Sequence, residues 1–158
     1  MQKIGLLIGK FMPLHKGHVA LIEFALSHCD KLIIGVCSDK TEPVDGKIRF
    51  KWVKETFKSN PKVLVKHIYA ALPHNPIPTY EGSLTWGSYL KKRFPDATVL
   101  FSSEKYGAWM NDAMKIENVL FDPSRQKINV SGTMIRENPK KYLDFITPVA
   151  REYFLVKN

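Results

Sequence analysis

Apolar positions along the chain fall into short unbroken runs that alternate with stretches of helical period. Ile4 to Ile8 reads as a buried strand, and Ile22, Ala25, Leu26 and Cys29 recur at helical spacing before a second run, Leu32-Ile-Ile-Gly-Val-Cys37. Phe50, Val53 and Phe57 mark one face of a helix over 47–59, and Val63 to Ile68 is a third strand. Leu84 to Phe94 returns to helix, Ala97 to Phe101 is a fourth strand, Tyr106 and Trp109 lie in a short helix or turn, and Val119-Leu-Phe121 is a fifth strand. Strands alternating with helices predict an α/β fold, a Rossmann-like doubly wound parallel sheet of about five strands. Pro139 and Pro148 divide the remainder into short helices, so the pattern predicts one domain over 1–158 with a helical cover from about residue 137.

Composition narrows the ligand more than the fold. The 158 residues carry 24 basic against 15 acidic side chains, a net charge of +9, which suits polyanionic ligands such as nucleotides, nucleic acids or an acidic membrane surface. The basic residues are scattered, the longest clusters being Lys91-Lys92-Arg93 and Lys140-Lys141, so no binding tail for nucleic acid stands out. No apolar run approaches the roughly 18 residues of a membrane span. Cys29 and Cys37 have no metal-ligand spacing, and there is no charged-then-apolar leader at Met1, which together predict a reducing, cytoplasmic setting.

The stretch after the first strand carries the chemistry. Pro13 blocks a direct run into helix, so Gly9-Lys10-Phe11 and the residues to His15 form a tight loop, and a helix opens near Gly17. A strand ending in such a loop presents main-chain N–H groups and the positive end of a helix dipole to a phosphate. Lys10, His15 and His18 are placed to add side-chain donors. Asp39 and Ser38 end the second strand, and Ser102-Ser103-Glu104 ends the fourth, where open α/β sheets bind ligands; Ser-Ser-Glu serves equally as a helix cap. The segment from Tyr69 to Gly82 contains three prolines and is long for a structureless connection, which suggests a binding loop. Beyond it Trp86 is either part of a core stripe or a stacking surface for a flat ring. Near the other end, Asn129-Val-Ser-Gly-Thr-Met-Ile-Arg136 offers Ser131 and Thr133 as helix caps or phosphate ligands, with Arg136 adding a fork of donors.

His15-x-Gly17-His18 paired with Ser131-Gly-Thr-x-Ile-Arg136 resembles the nucleotidyltransferases related to class I aminoacyl-tRNA synthetases. Gly9-Lys10-Phe11 followed by Pro13 looks like the nicotinamide-nucleotide adenylyltransferases, and Val36-Cys-Ser-Asp39, Ile77-Pro78, Phe101-Ser-Ser-Glu104 and Asp122-Pro-Ser-Arg125 bring the likeness nearest to the adenylyltransferase domain of NadR-type proteins. The resemblance implies transfer of the adenylyl group of ATP to nicotinamide mononucleotide (NMN), giving NAD and pyrophosphate. It implies His15, His18, Lys10 and Arg136 as catalytic groups, and Gly9, Lys10, Phe11, His15, His18, Ser102, Asn129, Ser131, Gly132, Thr133 and Arg136 around ATP. Ser38, Asp39, Arg49 and Trp86 would then hold NMN, with Arg49 on its phosphate and Trp86 on the nicotinamide ring. Magnesium would travel on the ATP phosphates, with no protein metal site. Kinase activity is not expected, because Asp45-Gly46-Lys47-Ile48 departs from a Walker motif at Thr41 and Ile48.

The rival acceptors are phosphopantetheine and glycerol 3-phosphate. Pantetheine-phosphate enzymes usually show Thr where His15 stands, and cytidylyltransferases usually carry an Arg-Thr-x-Gly-Ile-Ser-Thr-Thr signature that 129–136 lacks. A non-catalytic nucleotide- or nucleic-acid-binding module is the reading from a different class. Neither nucleic acid nor membrane is expected as a partner, and a homo-oligomer is compatible with the sequence.

Overall fold

The computed structural model of the chain describes residues 1–69, 72, 78–122 and 128–156. Five parallel strands, β1 (Ile4–Gly9), β2 (Lys31–Ser38), β3 (Val63–Tyr69), β4 (Val99–Ser102) and β5 (Glu117–Leu120), form one sheet in the order β3-β2-β1-β4-β5. The sequence predicted this class and number. Period-2 alternation sends neighbouring side chains to opposite faces. Leu7, Val99 and Phe101 enter one core with Ile34 and Val36, while Leu6, Leu100 and Cys37 enter the other.

Helices fill both faces. On the first lie α1 (Lys16–Leu26), through Ile22 and Ala25, and α2 (Gly46–Thr56), through Trp52 and Val53. On the second lie α3 (Tyr80–Arg93) and α4 (Tyr106–Met114), through Leu90, Met110 and Met114. The helix expected from Leu84 starts a turn earlier, because the Thr79 side chain caps it by accepting from the Gly82 N–H at 3.0 Å. After α5 (Gly132–Glu137), a 3₁₀ turn at Leu143–Phe145 leads into α6 (Pro148–Val156). Tyr153 meets the Trp52 ring edge-on, at 5.6 Å between centroids, so α6 covers α2.

This topology fixes where a ligand goes. The chain runs outward from β1 to β2 and β3, then returns to add β4 and β5 on the other side, so the order reverses between β1 and β4. Loops leaving the carboxyl ends of those two strands diverge to opposite faces and leave a crevice between them. Among the described residues no helix is long and apolar enough to cross a membrane.

Candidate active site

A cleft of about 670 Å³ opens at that point, bounded by Gly9 and Lys10 after β1 and by Ser102 and Ser103 at the end of β4. Its floor is the loop from Lys10 to His15. Phe11 in that loop takes a left-handed backbone angle, φ 51°, at a cost of about 1–2 kcal/mol. Burying the ring offsets the cost: Phe11 is fully enclosed and meets the His18 ring edge-on, at 4.9 Å.

The two histidines form one unit. His15 is the N-cap of α1, and its Nδ1 accepts the Gly17 N–H at 3.0 Å. His18 Nδ1 in turn accepts the main-chain N–H of His15 at 3.2 Å, a reciprocal cap made by imidazoles. The rings stack at 3.7 Å between centroids, 25° from parallel. A main-chain amide can only donate, so each Nδ1 must be the unprotonated acceptor, and each ring carries its proton on Nε2. The fold has therefore chosen the tautomer. Gly17 is required for the same reason, since a Cβ there would lie 2.8 Å from His15 Cε1.

Donors converge on the cleft from other elements. Ser131 caps α5, its Oγ accepting from the Met134 N–H at 3.2 Å, and Ser131, Gly132 and Thr133 line the wall. Arg136 lines it too, donating through Nη1 to the Met12 carbonyl at 2.6 Å and through Nη2 to Thr133 Oγ1 at 3.4 Å. Burial lowers the Arg136 pKa from its ordinary value. Trp86 lines the far side with Pro78, Ser83 and Tyr106, and packs beside the second core. Gly9, Lys10, Phe11, His15, His18, Ser102, Ser131, Gly132, Thr133, Arg136 and Trp86 thus meet around one cavity.

Four expected ligands are placed elsewhere. Arg49 is completely buried, and four of its five N–H donors are engaged: Nε goes to the Val44 carbonyl at 2.9 Å, Nη1 to the carbonyls of Lys10 at 2.7 Å and Cys37 at 2.9 Å, and Nη2 to Glu42 Oε1 at 2.6 Å. Arg49, expected on the NMN phosphate, therefore lies outside the cavity lining and clamps the wall of the cleft. Ser38 is also buried, its Oγ 2.6 Å from His67 Nε2, and neither it nor Asp39 lines the cavity. Asp39 Oδ1 accepts instead from the Thr41 N–H at 2.6 Å and the Thr41 hydroxyl at 2.8 Å. Asn129 is exposed outside the cavity, because Val130 turns inward in its place. Pro76, Ile77 and Arg125 lie outside the described residues.

Sequence reasoning passed over Glu42. Its side chain is 6% exposed, yet it lines the cleft, and its Oε2 lies 3.1 Å from Lys10 Nζ. That contact is an ion pair off hydrogen-bonding alignment, since Oε2 has no hydrogen-bond partner among the described residues. Its only signal in the sequence was an acidic residue in the loop that leaves the carboxyl end of a strand. Among the described residues no three His, Cys, Asp or Glu side chains gather as a metal site.

A protein-family model described as cytidylyltransferase-like matches residues 6–138. The chain belongs to that family. Within the cytidylyltransferase-like family it is 31% identical to the trifunctional NAD biosynthesis/regulator protein NadR of Escherichia coli, an alignment that takes in 98% of this chain and 41% of that protein. The chain thus spans under half the length of NadR. It is 25% identical to the nicotinamide-nucleotide adenylyltransferase of Thermococcus onnurineus, over 94% of this chain and 84% of that one. It is also 28% identical to a phosphopantetheine adenylyltransferase of Francisella tularensis, over 92% and 91%. A crystal structure of NadR protein in complex with NAD and AMP-PNP shares the fold, with a TM-score of 0.73 at 23% identity, covering 98% of this chain and 47% of that one.

Proposed function

We propose that the chain is a nicotinamide-nucleotide adenylyltransferase, joining ATP and NMN to give NAD and pyrophosphate. A phosphate oxygen of NMN attacks the α-phosphorus of ATP in line; the new P–O bond forms as the bond to the α,β-bridging oxygen breaks. No side-chain nucleophile takes part. The work of the protein is to hold two anions together and to stabilise charge on the phosphoryl oxygens. Placed donors outside water can contribute about 10²–10³ in rate apiece.

The observation that carries this reading is the reciprocal histidine cap, which fixes both imidazoles as Nε2–H donors in a cleft at the β1/β4 crevice. His18 would serve the α-phosphate, His15 and Lys10 the oxygens beyond it, and Ser131, Thr133 and Arg136 the pyrophosphate end. Magnesium enters as part of the nucleotide substrate, held by phosphate oxygens and water. Trp86, on the opposite side of the cleft, offers an indole face to the cationic nicotinamide ring.

The choice of acceptor is the part the relatives leave open, because NMN and phosphopantetheine enzymes both align. The test is pyrophosphate release with ATP and magnesium, comparing NMN, nicotinic acid mononucleotide, phosphopantetheine and glycerol 3-phosphate, with His18→Ala as control. Release with NMN that vanishes in the variant is the expected result. Release only with phosphopantetheine or glycerol 3-phosphate would move the assignment to a sibling enzyme, and no release from folded protein would leave a nucleotide-binding module.

A further inference from the structure

The loop under the cleft is held at every second carbonyl, each time from a different part of the fold. The Lys10 carbonyl takes Arg49 Nη1 from α2, the Met12 carbonyl takes Arg136 Nη1 from α5, and the Leu14 carbonyl takes both the N–H and the hydroxyl of Thr147, at 3.1 and 3.2 Å. Arg136 lines the cavity, and Thr147 sits at the entry to α6. Arg49 does neither: it is 0% exposed and reaches the ligand side only through what it holds.

What it holds is Lys10, at both ends. Arg49 Nη1 fixes the Lys10 carbonyl, and Arg49 Nη2 fixes Glu42, whose other oxygen lies 3.1 Å from Lys10 Nζ. The Glu42 Oε1 that Arg49 grips also accepts the Asp39 N–H at 2.8 Å, so the carboxylate is oriented by two donors before it meets the lysine. With the Lys10 carbonyl pinned rearward, the planar trans peptide must send the Phe11 N–H in the opposite direction. One buried pair therefore sets a main-chain donor and a side-chain cation of the loop together. Only a guanidinium can do this, because Nε and both Nη groups serve three carbonyls and a carboxylate in a fixed plane.

We infer that Arg49, acting with Glu42, is a positioning residue for phosphoryl transfer: it presets Lys10 and the Phe11 amide for the phosphates of ATP without touching either substrate. This rests on the adenylyl-transfer reading above. It differs from a direct contact to the acceptor phosphate in a way kinetics can separate. A contact would be partly restored by any cation at position 49, and its loss would appear mainly in the KM of the acceptor. A clamp needs the fork, and its loss appears in kcat and in affinity for the leaving group.

The experiment compares Arg49→Lys with the double variant Arg49→Met, Glu42→Gln, in which no unpaired charge is left buried and Gln still accepts the Asp39 N–H. Thermal melting establishes that both are folded. Steady-state kinetics then use ATP with whichever acceptor the native protein accepts, and calorimetric titration uses inorganic pyrophosphate with magnesium. The expected result is a fall in kcat of at least about tenfold in both variants, acceptor KM within about threefold of native, and pyrophosphate affinity reduced by about fivefold or more. Near-native kcat in Arg49→Lys, or a defect confined to acceptor KM, would overturn the inference. If the native protein turns over no acceptor, the functional reading fails on its own account. The pyrophosphate titration still decides this one, and unchanged affinity in Arg49→Lys sinks it.

Discussion

His15 and His18 cap each other's turn: His15 Nδ1 accepts the Gly17 N–H at 3.0 Å, and His18 Nδ1 accepts the His15 N–H at 3.2 Å. Structure and chemistry share these atoms, and substitution can separate them. His15→Asn keeps a side-chain oxygen suited to an N-cap, whereas His15→Ala removes it at about 1 kcal/mol, worth roughly 2–4 °C in a chain of this size. Both lose the Nε2–H donor. Melting curves should therefore place Asn above Ala, while turnover falls about 10²-fold in each. An Asn variant that keeps most of its activity would show that the ring only caps the helix.

Gly87 lies where α3 crosses α4, and a Cβ there would come within 2.1 Å of the Met110 carbonyl oxygen. Backbone cannot yield as a flexible side chain does. Gly87→Ala must push the helices apart, against the gain in helix propensity that alanine brings elsewhere. The expected outcome is a loss of about 1–3 kcal/mol in chemical denaturation, with a weakened grip on the acceptor because Trp86 is the adjacent residue. A neutral or stabilised variant would mean the contact relaxes without cost.

Much of this was legible in the chain. Apolar runs such as Leu32 to Cys37 predicted the parallel strands, because strands covered on both faces need no polar alternation. The histidine pair and the Ser131 cap were visible because each is local, its partners lying within three residues. The surroundings of Arg49 were not legible, for the opposite reason. Its partners Lys10 and Cys37 are 39 and 12 residues away, and nothing in 158 letters says whether an arginine at a helix start faces a ligand or the wall behind it. Glu42 stayed hidden because its meaning depends on Arg49. Asn129 was expected to share the role of Ser131, but two residues of extended backbone turn a side chain through a full alternation only when the segment is straight, and here Val130 takes the buried side.

His67 makes stability depend on pH. Its Nε2 is 2.6 Å from Ser38 Oγ, and burial, reinforced by the nearby Arg49 charge, lowers its pKa below the ordinary 6.5. The unfolded chain takes up a proton at about 6.5, whereas the folded chain resists it until a lower pH. The stabilising contribution is therefore present above about 6.5 and is lost as pH falls toward the folded value. Urea midpoints measured from pH 7.5 down to 5 should decline, and His67→Gln should flatten that decline. An equally steep slope in the variant would assign the effect to other groups.

Cys37 should be chemically silent in the native protein. Burial first, and the Glu42 carboxylate second, raise its thiol pKa from the ordinary value, pushing it up to about 12, and burial raises that of Cys29 as well. Mass spectrometry after iodoacetamide at pH 8 should find neither thiol modified in native buffer and both modified in denaturant. Rapid native labelling of Cys37 would show that the end of β2, and the Arg49 clamp bonded to its carbonyl, opens readily.

Trp86 tests whether the aromatic wall is a binding surface or only core. It is partly buried, lines the cleft and meets Tyr89 edge-on at 6.2 Å. A cationic ring stacked on indole is worth about 0.5–2 kcal/mol, depending on how far water is excluded. Trp86→Phe keeps an aromatic face, whereas Trp86→Leu keeps apolar bulk without the π-system. If stacking matters, KM for NMN should rise about 3- to 30-fold in Leu and much less in Phe, with KM for ATP nearly unchanged. Equal effects of Phe and Leu on melting temperature and on both KM values would reduce Trp86 to a core residue, and the acceptor would have to be held by other groups.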